Sequence, residues 1–319
     1  MDVTDFARFN DNLIKSVSKT IVGKEGVIET VAISLLTGGH ILFEDNPGLG
    51  KTTLAKAVAK ATGCDFKRVQ FTADLLPADV TGTFVLDGSG NFKFIKGPVF
   101  AQVLLADEIN RAPPKTQSAL LEAMQERQVT SENETFPLPL PFMVLGTQNP
   151  IEYEGTYPLP EAQMDRFSLK IKMGYPNFED EVAILGLRKS LDDELKQVDR
   201  VSNPEEVLKL QSRVEEVFVD EDMKRYIVKV VAETRKFVGV DAGVSPRGAI
   251  HLHRLCKARA ACSGRDFVTP DDVKALAVPA LAHRLVLSTD FELRGLSQEA
   301  IIDEILTKTP VPKVTSPEG

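Results

Sequence analysis

Residues 40–53 read HILFEDNPGLGKTT, so a glycine-rich loop with a lysine joins an apolar run to an alanine-rich segment. A strand, a glycine loop and a helix in this order build a phosphate-binding loop. In such a loop, backbone N–H groups and the positive end of the helix dipole face one anion. Lys51 falls in the first turn of the helix, where a cation is unfavourable unless an anion compensates it. A triphosphate would supply that anion.

The loop is predicted to bind a nucleotide with Mg²⁺, because Thr52 carries a hydroxyl able to ligate the metal. One position departs from the strict pattern: Asp45 stands five residues before Gly50, where the pattern has a glycine. Aspartate tolerates turn conformations better than most residues. The alternative is a turn that only caps a helix over residues 54–61, and the motifs described next argue against it. The predicted nucleotide contacts in the loop are Pro47, Gly48, Leu49, Gly50, Lys51, Thr52 and Thr53.

Length and composition limit the class of protein. The chain of 319 residues is long enough for two domains, and 43% apolar and 26% charged residues are typical of a globular protein. The sequence has no apolar run long enough to span a membrane, and its start, MDVTD, does not resemble a signal peptide. We therefore expect a cytoplasmic protein. The net charge of −8 argues against nucleic acid as the main partner.

The three cysteines and four histidines give little support for a metal site or a disulfide framework. Cys64, Cys256 and Cys262 are too few and too scattered for either, and we interpret them as buried or reduced residues. His251 and His253 are two residues apart, so they would point to different faces of a helix. We expect no metal site on these residues.

The pattern of apolar residues divides the chain in two. Short apolar runs alternate with helical patterns up to residue 173, which predicts a parallel sheet covered by helices. After Gly174 the strand signals stop and helical periodicity takes over. We expect an α/β nucleotide-binding domain at 1–175, an all-helical lid at 176–309 and a flexible tail at 310–319. The predicted strands are residues 40–43, 67–71, 103–106, 142–146 and 168–173. The predicted lid helices are residues 179–190, 205–217, 221–237, 247–263, 270–285 and 298–308.

Residues 103–108 read VLLADE, an apolar strand that ends in two adjacent carboxylates. Such a pair is unfavourable unless a cation lies beside it. Asp107 suits the Mg²⁺ shell, and Glu108 could orient and deprotonate the water that attacks the γ-phosphate. The alternative is a solvated acidic strand end followed by a helix cap. Beside a phosphate-binding loop this alternative is the weaker interpretation.

Three further polar residues could contact the phosphates, although each has an ordinary structural alternative. Asn149 follows a strand at its carboxyl end, where ligands bind in open parallel sheets, but an Asn-Pro turn would also explain it. Arg247 lies in the first turn of a predicted helix, where the dipole disfavours a cation, so either an external anion or an acidic partner is expected. Arg166 follows an acid and precedes the last strand, and its alternative is a structural ion pair.

Four segments carry motifs in a characteristic order. They are NPGLGKT at residues 46–52, LLADEINRAPPK at 104–115, TQNP at 147–150 and EAQMDRF at 161–167. Together they resemble the MoxR family of AAA+ ATPases, and the resemblance covers nearly the whole chain. It implies an AAA+ P-loop core with a five-stranded parallel sheet, two β-hairpin insertions and an all-α lid.

The resemblance also implies the roles of individual residues in Mg²⁺-dependent ATP hydrolysis. Lys51 and Thr52 match the Walker A lysine and the Mg²⁺-binding threonine. Asp107 and Glu108 match the Walker B pair, which would hold the metal and activate water. Asn149 matches sensor 1.

Three more matches extend the implied site beyond the sheet. Arg247 matches sensor 2, which would reach the γ-phosphate from the lid. Arg166 matches the arginine finger, which would complete the site of a neighbouring subunit. Val22 and Gly23 resemble the segment that contacts adenine.

Two segments with strand composition around turn signals predict β-hairpins. The first joins residues 83–86 to 91–94, and the second joins 127–131 to 135–140. In the MoxR family they resemble the helix-2 insert and the pre-sensor-1 hairpin, which project towards the pore or the substrate. Three aromatic residues of the first hairpin could grip a substrate or make cross-strand contacts, and we favour the second interpretation for at least one of them. These residues are Phe84, Phe92 and Phe94.

The family resemblance implies a homo-oligomer, expected to be a hexamer, that binds ATP and ADP and remodels a protein client. It also implies a partner with a von Willebrand factor A domain and work that includes metal-cofactor insertion into enzymes. Two alternatives stay open: a magnesium-chelatase-like motor subunit and a nucleotide-gated binding switch with little turnover. Glu108 and Arg166 together argue against the switch. A DNA motor is disfavoured by the net charge.

Overall fold

The computed structural model describes residues 2–88, 90–149, 156–187 and 195–312. The strands are β1 (Ile41–Glu44), β2 (Phe66–Gln70), β3 (Gly82–Leu86), β4 (Phe92–Lys96), β5 (Val103–Asp107), β6 (Gln128–Ser131), β7 (Glu134–Pro137), β8 (Met143–Gln148), β9 (Leu169–Ile171), β10 (Val240–Ala242) and β11 (Val286–Leu287). The α-helices are α1 (Thr4–Val17), α2 (Glu25–Leu36), α3 (Lys51–Thr62), α4 (Pro77–Thr81), α5 (Pro114–Glu126), α6 (Glu161–Met164), α7 (Phe178–Leu187), α8 (Pro204–Val214), α9 (Glu221–Thr234), α10 (Pro246–Cys262), α11 (Pro270–Leu281), α12 (Thr289–Leu293) and α13 (Gln298–Lys308).

Five parallel strands form the central sheet, in the order β2-β5-β8-β1-β9. All five predicted strands are present, with ends that move by at most two residues. The last strand is shorter than the predicted 168–173, because the N–H groups of Met173 and Gly174 bond to the Asp45 carboxylate instead of to a neighbouring strand. The parallel order brings the carboxyl ends of β1, β2, β5 and β8 to one edge, where a ligand binds in open α/β sheets.

Both faces of the sheet are buried, which explains why its inner strands read as continuous apolar runs. Ile41 and Leu105 face a cluster that includes residues of α1, α2 and α3. Leu104 and Val144 face the opposite cluster, with residues of α5. The first cluster continues into the lid through residues such as Leu252, so the lid and one face of the sheet share an apolar core.

The second half of the chain is helical, as predicted, with helix ends that differ by a few residues. Helices α8, α9 and α11 end before the predicted residues 217, 237 and 285, and α11 is followed by a 3₁₀ turn at Ala282–Arg284. Residues 188–190 of the first predicted helix lie outside the described part of the chain. The lid also contains the short antiparallel pair of β10 and β11, which sequence patterns did not predict.

The predicted boundaries between nucleotide-binding domain, lid and tail stay predictions. Residues 310–312 have no regular secondary structure, and the rest of the predicted tail lies outside the described residues. Helices α1 and α2 lie before residue 40, where no element was predicted from the sequence. Between them, Gly23 adopts a positive φ of 68°.

Both predicted hairpins are present and they pack against each other. Phe84 and Phe94 are paired across β3 and β4, with ring centroids 5.3 Å apart. Phe94 also stacks on Phe136 of the β6–β7 hairpin at 4.1 Å. Phe92 is 72% exposed and pairs with Leu86, which is 63% exposed. Phe84 and Phe94 therefore make the expected structural contacts, and Phe92 is the aromatic residue of this hairpin that faces solvent.

Candidate nucleotide-binding site

The loop between β1 and α3 has the backbone of a phosphate-binding loop. Gly48 and Gly50 adopt positive φ angles of 85° and 87°, a conformation that favours glycine. Lys51 is the first residue of α3, directly after Gly50. The free N–H groups of this helix end, together with its dipole, are therefore directed at the space in front of the loop.

Lys51 is half-buried at the floor of this space. Its Nζ donates a hydrogen bond to the backbone carbonyl of Asp45 at 2.8 Å. Burial lowers the pKa of Lys51, and the negative charges of Asp45, Asp107 and Glu108 oppose that change. The surrounding carboxylates therefore favour the charged ammonium that a phosphate needs.

Asp45 has a structural function that explains its departure from the loop pattern. Its carboxylate accepts hydrogen bonds from the backbone N–H groups of Met173 and Gly174, the latter at 3.2 Å. These residues lie directly after β9, where the chain leaves the sheet for the lid. A glycine at position 45 could not make these bonds. Asp45 therefore links the phosphate loop to the connection between the two halves of the chain.

Asp107 and Glu108 lie at the carboxyl end of β5, and Thr147 of β8 bonds to both. The Thr147 hydroxyl donates to Oδ1 of Asp107 at 2.6 Å and accepts from the Glu108 N–H at 2.8 Å. Glu108 has a φ of 54°, which is rare for a non-glycine residue. Backbone strain of this kind clusters at functional sites. Thr147 thus fixes the relative orientation of the two acids.

Three more polar side chains hold the carboxylates. Arg68 donates to Oδ2 of Asp107 through Nε at 3.1 Å and Nη2 at 2.7 Å. Gln70 donates to Oε2 of Glu108 at 2.7 Å, and Arg111 donates to the same oxygen at 3.0 Å. None of these residues was among the site residues predicted from the sequence. Arg68 and Gln70 are two apart in β2, which ends at Gln70, so alternation and the carboxyl end of the strand are the signals that could have found them.

A cavity of about 370 Å³ lies in front of the phosphate loop and is lined by most of the predicted site residues. Polar groups from four neighbouring strand ends converge there, as the parallel sheet requires. The predicted site residues that line this cavity are Pro47, Gly48, Gly50, Lys51, Thr52, Thr53, Asp107, Glu108 and Asn149. The roles of these residues stay predictions.

A second cavity, of about 440 Å³, continues from the phosphate loop and has an apolar lining. Ile21, Val22, Leu49 and Met173 face it, and Pro47 and Gly48 belong to both cavities. An apolar pocket that is continuous with a phosphate site suits a nucleobase. Val22 lines this cavity and Gly23 is the next residue along the chain, and their contact with adenine stays a prediction.

Arg166 and Arg247 line neither of these cavities. They face a third cavity of about 220 Å³, together with Arg127, Arg254 and His251. Sensor 2 was expected to reach the γ-phosphate from the lid, and the structure does not place Arg247 in the phosphate cavity of its own chain. The reason is the packing of the lid.

Helix α10, which has Arg247 as its second residue, packs on α1 and α2. Its first turn therefore faces the segment around Asp165, whose carboxylate is 3.9 Å from Nε of Arg247. Arg166 is adjacent, with Nε 3.1 Å from the Gln125 side chain. The two predicted arginines thus share one surface that is separate from the phosphate cavity.

Comparisons with known proteins agree with this geometry. The sequence profile of the ATPase family associated with various cellular activities (AAA) matches residues 40–169, and the profile of an AAA lid domain matches residues 232–305. The chain is 41% identical to the chaperone MoxR1 of Mycobacterium tuberculosis over 316 residues, which are 96% of this chain and 83% of that protein. The chain belongs to the MoxR family of AAA+ ATPases.

Other relatives match over most of their length. The uncharacterized protein YeaC of Bacillus subtilis is 45% identical over 94% of this chain and 93% of its own. A crystal structure of a Cytophaga hutchinsonii protein, 41% identical, covers 97% of both chains with a TM-score of 0.88. Together with the MoxR1 and profile matches, they confirm the predicted family and the AAA+ fold with its lid.

The chelatase alternative has weaker support than the MoxR family. A magnesium-chelatase subunit of Arabidopsis thaliana is 33% identical, but the match covers 57% of this chain and 43% of that subunit.

Within the described ranges of the MoxR-family chain, no helix is both long and apolar enough to cross a bilayer.

Proposed function

We propose that this chain hydrolyses ATP with Mg²⁺. The observation that carries the proposal is the convergence of Lys51, Thr52, Asp107, Glu108 and Asn149 on one cavity. Hydroxyl and carboxylate oxygens are the ligands that Mg²⁺ prefers, so Thr52 and Asp107 fit the metal. When bound, Mg²⁺ neutralises charge that develops on the phosphates.

The chain's own residues would bind the phosphates, orient the attacking water and accept its proton. Lys51 and the loop N–H groups bind the phosphates. The Glu108 carboxylate accepts a proton from the attacking water, and Asn149 orients that water or the γ-phosphate. Thr147 holds Asp107 and Glu108 in a fixed relative orientation through its two hydrogen bonds.

We further propose that the site is completed by a second copy of the chain, in an oligomer expected to be a hexamer. Arg166 lies on a different surface from the phosphate cavity of its own chain, which supports a role in the neighbouring site. Arg247 lies on the same surface and would act with Arg166. Positive charge at the transferred phosphoryl group stabilises the transition state.

The proposed cellular activity is chaperone-like remodelling of a protein client in the cytoplasm, with a von Willebrand factor A domain partner. A relative from M. tuberculosis is named a chaperone, which supports the first part. The exposed pair of Phe92 and Leu86 at the tip of a hairpin offers an apolar contact for a client. Movement of the lid relative to the sheet would convert the nucleotide state into work.

An ATP turnover assay across a protein concentration series tests the enzyme proposal. E108Q should lower kcat by about 100-fold or more, because a general base contributes about 10²–10⁴ to a rate. Its ATP affinity should stay close to that of the wild type. E122Q, a change at an exposed position on α5, is the matched control and should retain full turnover. If the wild type turns over no faster than E108Q at every concentration, the chain is a nucleotide-gated switch and not an ATPase.

A further inference from the structure

Arg284 is a buried charge at the contact between the lid and the sheet. It ends the 3₁₀ turn Ala282–Arg284, and its side chain is only 2% exposed. A guanidinium is costly to bury unless its charge and its N–H groups all find partners. The partners of Arg284 therefore indicate what the buried charge is for.

All five N–H groups of this guanidinium have acceptors. Nε donates to the Ala280 carbonyl at 2.7 Å. Nη1 donates to the Asp165 carbonyl at 3.2 Å and to the Asp165 carboxylate. Nη2 donates to the Phe167 carbonyl at 2.8 Å and to Nδ1 of His251 at 2.9 Å. His251 can accept this bond because burial lowers its pKa to about 3, which keeps the ring neutral.

The acceptors outside the lid flank a single residue, Arg166. Asp165 and Phe167 are its two chain neighbours, and Arg284 binds the backbone carbonyl of each. His283 adds a bond between Nε2 and the Phe167 carbonyl at 3.1 Å. The lid therefore clamps the backbone on both sides of Arg166.

We propose that Arg284 is a positioning residue for Arg166, so that the lid of one chain orients the arginine that completes the ATP site of the next. The inference rests on the proposed role of Arg166 in a neighbouring subunit. A displacement of about 1 Å in a reacting group can cost about 100-fold in rate. Loss of the clamp therefore lowers turnover in the neighbouring site and leaves nucleotide binding by the altered chain intact.

The competing explanation is that Arg284 only fastens the lid to the sheet. In that case R284M damages its own chain, and the chain is inactive in every assembly. A positioning residue behaves differently, because R284M removes activity only where the altered chain must supply Arg166. Mixed assemblies of two variants separate these explanations.

The experiment measures ATP turnover of R284M alone and after mixing with E108Q or with R166A. E108Q chains keep Arg166 and Arg284 but lack the general base, so they can complete the site of a neighbour. We expect R284M alone to lose about 100-fold in kcat, with a KM for ATP within about threefold of the wild type. Mixing R284M with E108Q should restore turnover, and mixing R284M with R166A should not.

The mixture of R166A with E108Q tests the proposed function separately. Restored turnover there supports the role of Arg166 in the neighbouring site, and no restoration overturns that role. If R166A is rescued by E108Q and R284M is not, the positioning inference is wrong while the proposed function stands.

R265M is the matched control, because Arg265 also forms a paired guanidinium but entirely within the lid. It donates to both oxygens of Asp272, at 2.7 and 2.8 Å, and makes no hydrogen bond with the segment around Arg166 among the described residues. We expect R265M to turn over ATP without a partner variant. If R265M instead needs E108Q for turnover, as R284M does, the effect belongs to the lid in general and the inference fails.

Discussion

At the scale of single residues, Asp45 shows how a departure from a motif can have a structural cause. Its carboxylate bonds to the N–H groups of Met173 and Gly174, so D45N should weaken the connection between phosphate loop and lid. A hydrogen bond to a charged group contributes about 1.5–3 kcal/mol, and we expect D45N to lower the free energy of unfolding by about 2 kcal/mol. Urea unfolding measures this change, and hydrogen exchange should be faster at residues 173 and 174.

The control for Asp45 is D11N, a change at an exposed position of α1 for which we expect a change within about 0.5 kcal/mol. Equal unfolding midpoints for both variants and the wild type would show that the Asp45 bonds do not stabilise the fold.

The residues of the candidate site differ in how well the sequence predicts them. Lys51 and Thr52 were predictable because the phosphate loop is contiguous in the chain. Arg68 and Gln70 were not identified, because their function depends on which strand lies beside β5, and sequence does not state the strand order. The sensor 2 role of Arg247 stays a prediction, and its place outside the phosphate cavity depends on helix packing between the lid and α1 and α2, which the sequence does not state.

At the scale of elements, the two hairpins hold each other through aromatic stacking. Phe94 contacts Phe84, Phe100 and Phe136, with ring centroids between 4.1 and 5.9 Å apart. F94A should lower the free energy of unfolding by about 2 kcal/mol, because it removes a packed ring and its aromatic pairs. F92A removes an exposed ring and should change it by less than about 0.5 kcal/mol. Denaturant unfolding of both variants checks the difference, and a loss for F92A as large as that for F94A would contradict it.

The strands of the central sheet and the long lid helices were predictable because apolar periodicity and loop residues define them locally. A cross-strand contact was predicted for at least one of Phe84, Phe92 and Phe94, but the sequence did not identify which. That choice depends on Phe136, which lies more than forty residues further along the chain. The β10–β11 pair was missed because strands of three and two residues carry too little pattern.

At the scale of the whole molecule, the folded state favours the neutral form of all four histidines. The free energy of unfolding should therefore depend on pH. Burial is the first cause in each case: it lowers the pKa of His40 to about 4 and of His251 to about 3, and it also lowers the pKa of His253 and His283. His40 shows the reason, since Nδ1 accepts from the Val144 N–H at 3.0 Å and a protonated ring could not.

Because these pKa values lie below the ordinary 6.5, the unfolded chain binds more protons than the folded chain between pH 6.5 and about pH 4. The stabilisation is therefore complete above pH 6.5 and falls as the pH drops through this window. Each deeply buried histidine should lower the free energy of unfolding by up to about 2 kcal/mol when the pH falls from 7.5 to 5. Glu44 and Glu215 have lowered pKa values, so their contributions are lost only at more acidic pH. Urea unfolding at pH 7.5, 6 and 5 measures the slope, and a constant free energy of unfolding over this range would contradict the neutral histidines.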